Sequence, residues 1–549
     1  MKDWIKEMVV YQIWPRSFKD SNGDGIGDIK GVISKLDYLK DLGINTIWFS
    51  PLYKSPQKDY GYDISDYYDI APEYGTMDDF KELIAECKKR GIKIIMDLVI
   101  NHTSDQHEWF LKSLEGNEKY KNYYFWRKGR GKRPPNNWMS TFPGDGWKYR
   151  EELGEYYLHL FAVEQPDLNH DNPEVREEVK KIMNFYLDLG VDGFREDVIV
   201  YISKREGLPN GFPIPVMRGM EHYANGPNLF KYLKEYRAEI TKRDAVQIGE
   251  APMVNAKKAL KYIGGEDRVL DMVFGFQHVQ ADCIGAAMIR TKFKIQKLKK
   301  AYTSWQEGLY GEGWNTNFLE NHDIPRIVSR YGSTKYWKES AKALATMYAF
   351  LTGTMFIYQG QEIGMTNTVF EKWNDFVDVA TFNARDLMLK SGLFSKKKTF
   401  ENLKYGARDN ARTPVQWTDE KNAGFSEGTP WYRVNPNYVD INVKQQEGDK
   451  NSILNFYKKL IQIRAENKKT AIHGKFIMIF KADKNMLAYR KQNEGEELLV
   501  FVNLSENEIS SKKVDKVAKG YKLILTNIDK QKEGKIKPFE ARVYKKENK

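Results

Sequence analysis

Apolar runs of β-branched and aromatic residues alternate with longer amphipathic stretches over residues 9–358. This alternation predicts strands joined by helices, and therefore a parallel sheet. The eight predicted strands are Val9–Trp14, Asn45–Ser50, Lys93–Val99, Gly193–Asp197, Val246–Gly249, Asp271–Phe276, Thr316–Leu319 and Thr354–Tyr358. Tyr336–Leu351 is a clear predicted helix, rich in Ala and followed by Gly353. Eight strands with intervening helices favour an α/β fold, a (β/α)8 TIM barrel.

Two regions depart from this alternation. Residues 104–172 are rich in Tyr, Trp, Pro and Gly and lack helical periodicity, which predicts a subdomain inserted after the third strand. Beyond Gly474, alternating runs predict an antiparallel β-sandwich domain at the C-terminus. The predicted organisation is a barrel formed by 1–103 and 173–474, an inserted subdomain at 104–172, and a C-terminal β-domain at 475–549.

The charge pattern argues against a nucleic-acid partner. The net charge of +12 arises from Lys interspersed with Glu along the chain. The densest basic run, Arg127–Arg133, is interpreted as a solvated loop, with an anion-binding loop as the alternative. A charged N-terminus and the lack of any apolar stretch of about 20 residues predict no signal peptide and no membrane span. We therefore expect a cytoplasmic monomer without membrane or nucleic-acid partners.

Three short segments each place a carboxylate at the end of a predicted strand. Asp197 ends the fourth strand, Glu250 follows the fifth, and Asp323 follows the seventh. The active site of such a barrel lies at the carboxyl ends of its strands, so the three side chains should meet there. Cleavage of a glycosidic bond needs one carboxylate as nucleophile and another as proton donor. The segments together therefore predict glycosidase chemistry.

Neighbouring residues suggest how the first two carboxylates would work. Arg195 lies two residues before Asp197 on one strand, so both side chains point the same way, and the arginine would keep the nucleophile ionised. A structural ion pair is the alternative interpretation. Glu250 must hold a proton to act as an acid, which burial or the charge of Asp197 would favour. A helix-capping role is the alternative for Glu250.

The third carboxylate has two histidines at the same barrel end. Asp323 would orient substrate hydroxyls and stabilise positive charge at the anomeric carbon. His102 and His322 would contact sugar hydroxyls. Because the chain has only two cysteines and neither lies near these segments, a zinc site is not expected.

A separate signal lies after the first strand. The segment 20–28 alternates oxygen-bearing side chains with glycines, like the start of an EF-hand loop, although no Glu stands at the twelfth position. This pattern predicts a structural Ca²⁺ or Mg²⁺ site, with a metal-free cluster of Asx turns as the alternative. No organic cofactor is expected. The predicted ligands are Asp20, Asn22, Asp24, Asp28 and the backbone carbonyl of Ile26.

Taken together, these segments resemble the α-amylase superfamily, glycoside hydrolase family thirteen, over nearly the whole chain. The resemblance is carried by Asp97–His102, Gly193–Val198, Ile248–Glu250 and Asn321–Asp323. It implies that Asp197 is the nucleophile, Glu250 the acid/base catalyst and Asp323 the stabiliser of the transition state. The residues implied to contact the sugar in the first subsite are His102, Arg195 and His322.

A closer resemblance is to the oligo-1,6-glucosidase group within that superfamily. It is carried by Gln165–Asn169, Tyr358–Asn367 and Ala407–Trp417. The counterparts of Asp59 and Arg412 close the far end of the glucose pocket there, which implies removal of a single terminal glucose. Val198 is typical of members that act on α-1,6 links. The remaining implied substrate contacts are Tyr62, Phe161 and Arg408.

Four positions depart from the pattern of the group. Glu196 stands where an apolar residue is usual, and we expect it to point towards the helix layer, either paired with a cation or wet. Trp14, His170 and Ala251 also differ, which leaves the substrate preference open.

The resemblance implies an exo-acting, retaining α-glucosidase that removes α-1,6-linked glucose from short oligosaccharides. A trehalose-6-phosphate hydrolase, a sucrose isomerase and an α-1,4-glucosidase are alternatives on the same catalytic centre. Arg127–Arg133 would supply the cations that a phosphosugar enzyme needs. A non-catalytic relative is disfavoured, because the catalytic set is complete.

Overall fold

The computed structural model describes residues 1–284 and 289–547. Eight parallel strands form one sheet, in which the first strand pairs with both the second and the eighth. A parallel bridge between Val273 and Asn315 joins the two ends of the sheet and closes the barrel. The prediction of an eight-stranded barrel is therefore confirmed. The observed strands are Val9–Ile13, Thr46–Phe49, Lys93–Leu98, Gly193–Glu196, Val246–Glu250, Met272–Phe274, Thr316–Asn317 and Thr354–Tyr358.

Helices surround the barrel, and their ends follow local sequence signals. The helix Met77–Lys89 begins with a capping box formed by Thr76 and Asp79. The helix Pro173–Leu189 is capped by the side chain of Asn172 and has Pro at its first position. The predicted helix Tyr336–Leu351 is observed as Trp337–Ala349. Within the described ranges, no helix is both long enough and apolar enough to cross a membrane.

The α-helices are Asp3–Lys6, Ile29–Ile33, Leu36–Leu42, Met77–Lys89, Glu108–Leu114, Glu118–Lys121, Pro173–Leu189, Met220–Tyr223, Leu229–Lys242, Ala256–Ile263, Ile295–Gly308, Ile327–Tyr331, Trp337–Ala349, Val379–Lys390, Lys396–Gly406, Val443–Gly448, Ile453–Glu466, Lys468–Ala471 and Lys512–Val517.

The segment between the third and fourth barrel strands has its own small sheet. Its three antiparallel strands are Trp126–Arg127, Glu155–Leu158 and Trp147–Arg150, with Glu155–Leu158 in the middle. Aromatic rings pack beneath it, with Phe110 stacked on Trp126 at 5.6 Å between centroids. Short antiparallel pairs elsewhere join Tyr53–Lys54 to Asp66–Ile70 and Cys283–Ile284 to Ile289–Arg290.

The C-terminal region contains a five-stranded antiparallel sheet, as predicted. One face packs on the barrel, where the Tyr489 hydroxyl donates to the Met347 carbonyl at 3.0 Å. The other face is covered by the helix Lys512–Val517 and by a ladder of two short strands, Ile509–Ser510 and Lys535–Ile536. The second layer of the predicted sandwich is therefore thin. In spatial order the strands of the large sheet are Lys475–Ile479, Met486–Asn493, Glu496–Asn503, Ala541–Glu547 and Lys522–Thr526.

Candidate active site

Neighbouring barrel strands bring three acidic residues to one arginine. Asp97 of the third strand lies in register with Arg195 of the fourth. Arg195 Nη1 donates to the two oxygens of Asp97 at 2.8 and 2.9 Å and to Asp197 Oδ1 at 2.7 Å. Its Nη2 donates to Glu250 Oε2 at 2.5 Å. The two residues expected to act as nucleophile and acid therefore share one guanidinium group.

This cluster carries more negative than positive charge. Burial raises the pKa of Asp197 well above its usual range, and the nearby Glu250 and Asp97 add to the shift that Arg195 opposes. Burial also raises the pKa of Asp97. Because three carboxyl groups share one cation, the cluster favours retention of one proton among its members. The expectation that Arg195 simply keeps Asp197 ionised is therefore incomplete, since the arginine is shared.

Asp323 is in contact with a histidine and two arginines. His322 Nε2 is 3.2 Å from Asp323 Oδ2, and Oδ1 accepts from Arg412 Nη2 at 2.9 Å and from Arg408 Nη1 at 3.2 Å. Burial alone would raise the pKa of Asp323, but these three neighbours outweigh it and hold the pKa well below its usual range. Asp323 is therefore ionised at neutral pH, as the stabilisation of positive charge requires.

His322 is held between two aromatic rings. Its ring stacks on Trp14 and on Tyr62, with 5.3 Å between centroids in both pairs. The ring nitrogens are also engaged, Nδ1 with Gln12 Nε2 and Nε2 with the Tyr62 hydroxyl, each at 2.8 Å. Trp14, one of the departures noted in the sequence, thus helps to fix the histidine that contacts Asp323.

A second ionic network lies beside this cluster and contains a residue that the sequence analysis missed. Arg408 makes a bidentate pair with Asp378, at 2.5 and 2.7 Å, and donates to Asp59 Oδ1 at 3.2 Å. Arg412 also donates to Asp378, at 3.2 Å. No sequence motif identifies Asp378, because its position is that of an ordinary N-cap, here of the helix Val379–Lys390. Burial raises the pKa of Asp59 to about 6, although Arg408 opposes the shift.

His102 lies on the side of the pocket formed by the inserted segment. Its Nε2 is 3.1 Å from both the Tyr62 carbonyl and Gln165 Nε2. Burial lowers the pKa of His102 to about 4, so the ring is neutral at physiological pH. The ring of Phe161 lies 4.9 Å from it and continues this wall.

The wall extends to the second ionic network through Phe142. The rings of Phe161 and Phe142 are 5.4 Å apart, and the Arg408 guanidinium lies 4.9 Å from the Phe142 centroid. The structure therefore places every substrate-binding residue expected from the sequence within two connected groups of contacts.

Val198 occupies a strained turn that lies between Asp197 and the side chain of Glu250. Its φ of 37° lies in the left-handed region, which is rare for a β-branched residue. Its backbone nitrogen donates to Glu250 Oε2 at 3.2 Å. The turn directly after Asp197 thus holds Val198 against the carboxylate expected to protonate the leaving group.

A buried ion pair joins the inserted segment to the barrel. Lys204 Nζ lies 2.7 Å from Asp167 Oδ2, and both side chains are fully buried. Asn101 links the same two residues, accepting from Lys204 at 3.0 Å and donating to Asp167 at 3.1 Å. Asn101 directly precedes His102, so the pair supports the position of that histidine. Sequence analysis missed Lys204, since no motif distinguishes it from other lysines.

The structure contradicts the expectation that Glu196 either has a cationic partner or is exposed to solvent. The side chain is fully buried, and its Oε1 accepts from the neutral amide of Gln247 at 2.5 Å. Among the described residues, Glu196 Oε2 and Gln247 Oε1 have no hydrogen-bond partner. Arg237, whose charge acts on Glu196, makes a bidentate pair with Asp271 instead, at 2.7 and 2.9 Å. Burial raises the pKa of Glu196 to about 8.

The loop 20–28 is closed by its own hydrogen bonds. Asp20 accepts from three backbone N–H groups of the loop, and Asp28 accepts from two backbone N–H groups and the Ser21 hydroxyl. Over the described part of the chain, no group of three or more acidic, His or Cys side chains is placed to hold a metal. These bonds match the metal-free alternative. Because the carboxylate and amide oxygens still suit Ca²⁺ or Mg²⁺, the ion site stays a prediction.

The basic run has two environments. Arg127 ends a strand of the inserted sheet, while Arg130 and Arg133 are exposed and line a cavity of about 920 Å³ together with Arg218 and Lys390. Pro143, next to Phe142 of the pocket wall, borders the same cavity. The run is therefore solvated, as expected, and also faces a cleft beside the candidate pocket.

Comparison with known proteins defines the family. The model of the alpha amylase catalytic domain matches residues 12–474, and the chain belongs to this family of glycoside hydrolases. Over 555 residues it is 48% identical to an oligo-1,6-glucosidase of Parageobacillus thermoglucosidasius, covering 99% of both chains.

Solved structures of similar proteins extend the comparison. The trehalose-6-phosphate hydrolase of Bacillus licheniformis is 43% identical, with a TM-score of 0.93 over 99% of this chain and 100% of that one. An isomaltulose synthase from Klebsiella sp. LX3 is 40% identical, with a TM-score of 0.94 over 99% of both chains. These three members of the family, all similar to this chain, differ in the reaction that their names describe.

Proposed function

We propose that this protein is an exo-acting, retaining α-glucosidase that removes terminal α-1,6-linked glucose from short oligosaccharides. The observation that carries the proposal is the sharing of Arg195 by Asp197 and Glu250, at 2.7 and 2.5 Å. Retaining enzymes hold their two carboxyl groups about 5–5.5 Å apart, whereas an inverting pair must leave room for a water molecule. Two carboxylates bridged by one guanidinium support the shorter arrangement.

The proposed reaction has two steps. In the reactive form the proton of the cluster lies on Glu250, so that ionised Asp197 attacks the anomeric carbon while Glu250 donates this proton to the leaving oxygen, giving a covalent glucosyl-enzyme. Glu250 then takes a proton from water, which attacks the same carbon and releases Asp197. Asp323, ionised by its cationic neighbours, would stabilise the positive charge that develops on the sugar.

The network around Arg408 supports exo action. Its pairs with Asp59 and Asp378 are buried or partly buried and lie beside the catalytic cluster. Such a network can bind the hydroxyls of one terminal glucose and leave no path for a second sugar behind it.

The proposed linkage preference depends on Val198. Its backbone nitrogen donates to Glu250, the residue proposed to protonate the leaving oxygen, which supports a position beside the departing glucose. An apolar wall there suits the methylene of an α-1,6 link. One contact of this size changes relative specificity by about 1–3 kcal/mol. The 48% identity to an oligo-1,6-glucosidase supports the same preference.

The substrate panel that tests this proposal contains isomaltose, maltose, sucrose, trehalose and trehalose 6-phosphate. We expect the highest kcat/KM on isomaltose, and Val198→Thr should raise the maltose-to-isomaltose ratio about ten-fold. Threonine keeps the β-branch and so serves as a matched substitution in the strained turn. A wild-type enzyme that prefers maltose, with a ratio unchanged by the substitution, would exclude the α-1,6 assignment.

A trehalose-6-phosphate hydrolase is the second candidate, favoured by the cavity beside the pocket. Its lining includes Arg130, Arg133, Arg218 and Lys390, which could hold the phosphate of a leaving sugar. If this candidate is correct, trehalose 6-phosphate will be the best substrate in the panel. Replacing Arg130 and Arg133 together by Gln would then lower kcat/KM for that substrate alone and leave isomaltose hydrolysis unchanged.

A further inference from the structure

A second cavity, of about 430 Å³, lies apart from the candidate active site. It is formed by residues 290–293, the helix Ile327–Tyr331 and the helix Lys396–Gly406. None of the residues assigned to the glucose pocket lines it. Any ligand bound there would therefore occupy a site separate from the reacting sugar.

The charged side chains that line this cavity are all basic. They are Arg290, Lys292, Arg330 and Lys398. Arg330 is neutralised by Asp282, which accepts from its Nη2 at 2.5 Å and from its Nε at 3.1 Å. Within the described residues the other three form no ion pair. Three positive charges thus face the cavity without compensation, which favours an anion of more than one charge.

Two of the basic groups are held in place before any ligand binds. The Arg290 guanidinium lies 4.1 Å from the centroid of the Tyr405 ring, an arrangement that fixes its plane. The Tyr405 hydroxyl in turn donates to Asp282. Arg330, whose side chain is 1% exposed, is anchored by the same carboxylate. A ligand would therefore bind to groups that lose little conformational freedom.

Two buried polar atoms without hydrogen-bond partners lie on the segments that form the cavity. Thr291, which lines the cavity, has a buried hydroxyl that makes no hydrogen bond within the part of the chain that the structure describes. The side-chain nitrogen of Asn402 is likewise buried and unpartnered, while its Oδ1 accepts from the Arg290 backbone at 3.2 Å. Buried polar groups are normally satisfied, so unpartnered donors beside a basic cavity point to a missing acceptor.

We propose that this cavity binds a phosphate group, either as inorganic phosphate or on a small sugar phosphate. The lining offers arginine forks, lysine ammonium groups and a hydroxyl, the donors that phosphate oxygens accept from. The uncompensated charge suits a dianion. The volume leaves room for more than a bare phosphate, so a phosphorylated sugar also fits. This proposal does not depend on the function proposed above.

Calorimetric titration with inorganic phosphate tests the site directly, because inorganic phosphate does not resemble the substrate of the glucose pocket. We expect saturable binding that strengthens between about pH 5.5 and 7.5, as the ligand gains its second charge. Glucose 6-phosphate and glucose, titrated in parallel, distinguish the source of the phosphate. Tighter binding of glucose 6-phosphate than of inorganic phosphate would assign the site to a sugar phosphate, and equal binding would assign it to phosphate alone.

A pair of double variants separates a built site from general attraction to a basic surface. Lys292→Gln with Lys398→Gln removes two lining charges and should weaken phosphate binding at least about ten-fold. Lys294→Gln with Lys397→Gln makes the same change of charge on the same segments outside the lining, and should alter binding less than about two-fold. Equal weakening in both double variants, or no saturable binding of phosphate to the wild-type enzyme, would overturn the proposal.

Discussion

Replacing Glu196 by Gln tests whether this buried side chain carries a proton in the folded enzyme. Gln247 Nε2 donates to Glu196 Oε1 at 2.5 Å, while Glu196 Oε2 and Gln247 Oε1 lack partners over residues 1–284 and 289–547. A proton on Oε2 would supply the donor that Gln247 Oε1 needs. The amide of a glutamine at position 196 would supply the same donor at every pH. Glutamine at position 196 therefore mimics the protonated glutamic acid in both shape and hydrogen bonding.

The magnitude follows from the pKa of Glu196, which burial raises from 4.5 to about 8. The unfolded chain releases this proton near its ordinary pKa, whereas the folded protein holds it until the raised pKa is reached. The contribution of Glu196 to stability is thus fully present below about pH 4.5 and is lost as the pH rises towards 8. Each pH unit in this window lowers the free energy of unfolding by about 1.4 kcal/mol, which amounts to about 5 kcal/mol over the whole window.

Thermal unfolding at about pH 5 and about pH 9, at one heating rate, measures the effect. We expect the Tm of Glu196→Gln relative to wild type to rise by roughly 3–5 °C between the two pH values, because about 4–5 kcal/mol is divided by the large unfolding entropy of a chain of this length. Glu151→Gln, a substitution of an exposed carboxylate, controls for the change of net charge and should show no such trend. A difference in Tm that is the same at both pH values, or a variant less stable than wild type at high pH, would refute the reasoning.

Three further predictions concern the supports of the pocket. Asp378→Asn should raise KM for isomaltose at least about ten-fold, because an amide holds Arg408 less firmly than a carboxylate, and an unchanged KM would contradict this. Lys204→Met should lower stability by about 3–5 kcal/mol and reduce Tm, since it leaves the Asp167 carboxylate buried without its cation; an unaltered Tm would argue against it. Adding Ca²⁺ to chelator-treated enzyme should raise Tm with little change in turnover, whereas no shift would assign the loop 20–28 to metal-free turns.

The barrel could be predicted from the sequence because its strands are continuous apolar runs between amphipathic helices. Their observed bounds differ from the prediction by a few residues, as for Thr316–Asn317, where the chain leaves the sheet early. Asp197, Glu250 and Asp323 were found because each stands at the end of such a run. Parallel strands must present those ends at one face of the barrel, so position along the chain was sufficient.

Residues whose role depends on contacts distant in sequence could not be found in this way. Asp378 and Arg408 are 30 residues apart, and Lys204 and Asp167 lie in different parts of the chain. Neither acidic residue follows a strand, and a buried lysine cannot be distinguished by sequence from an exposed one. Glu196 was noticed as unusual, but only the packing around it shows that its partner is a neutral amide.

The most direct test of the central proposal is proton NMR of the glucose first released from an aryl α-glucoside, whose leaving group has no anomeric carbon of its own. With Asp197 and Glu250 sharing one arginine, we expect two displacements at the anomeric carbon and therefore α-glucose as the initial product. Slow conversion to the β-anomer should follow as free glucose mutarotates. Initial release of β-glucose would mean a single displacement by water and would contradict the role proposed for Asp197.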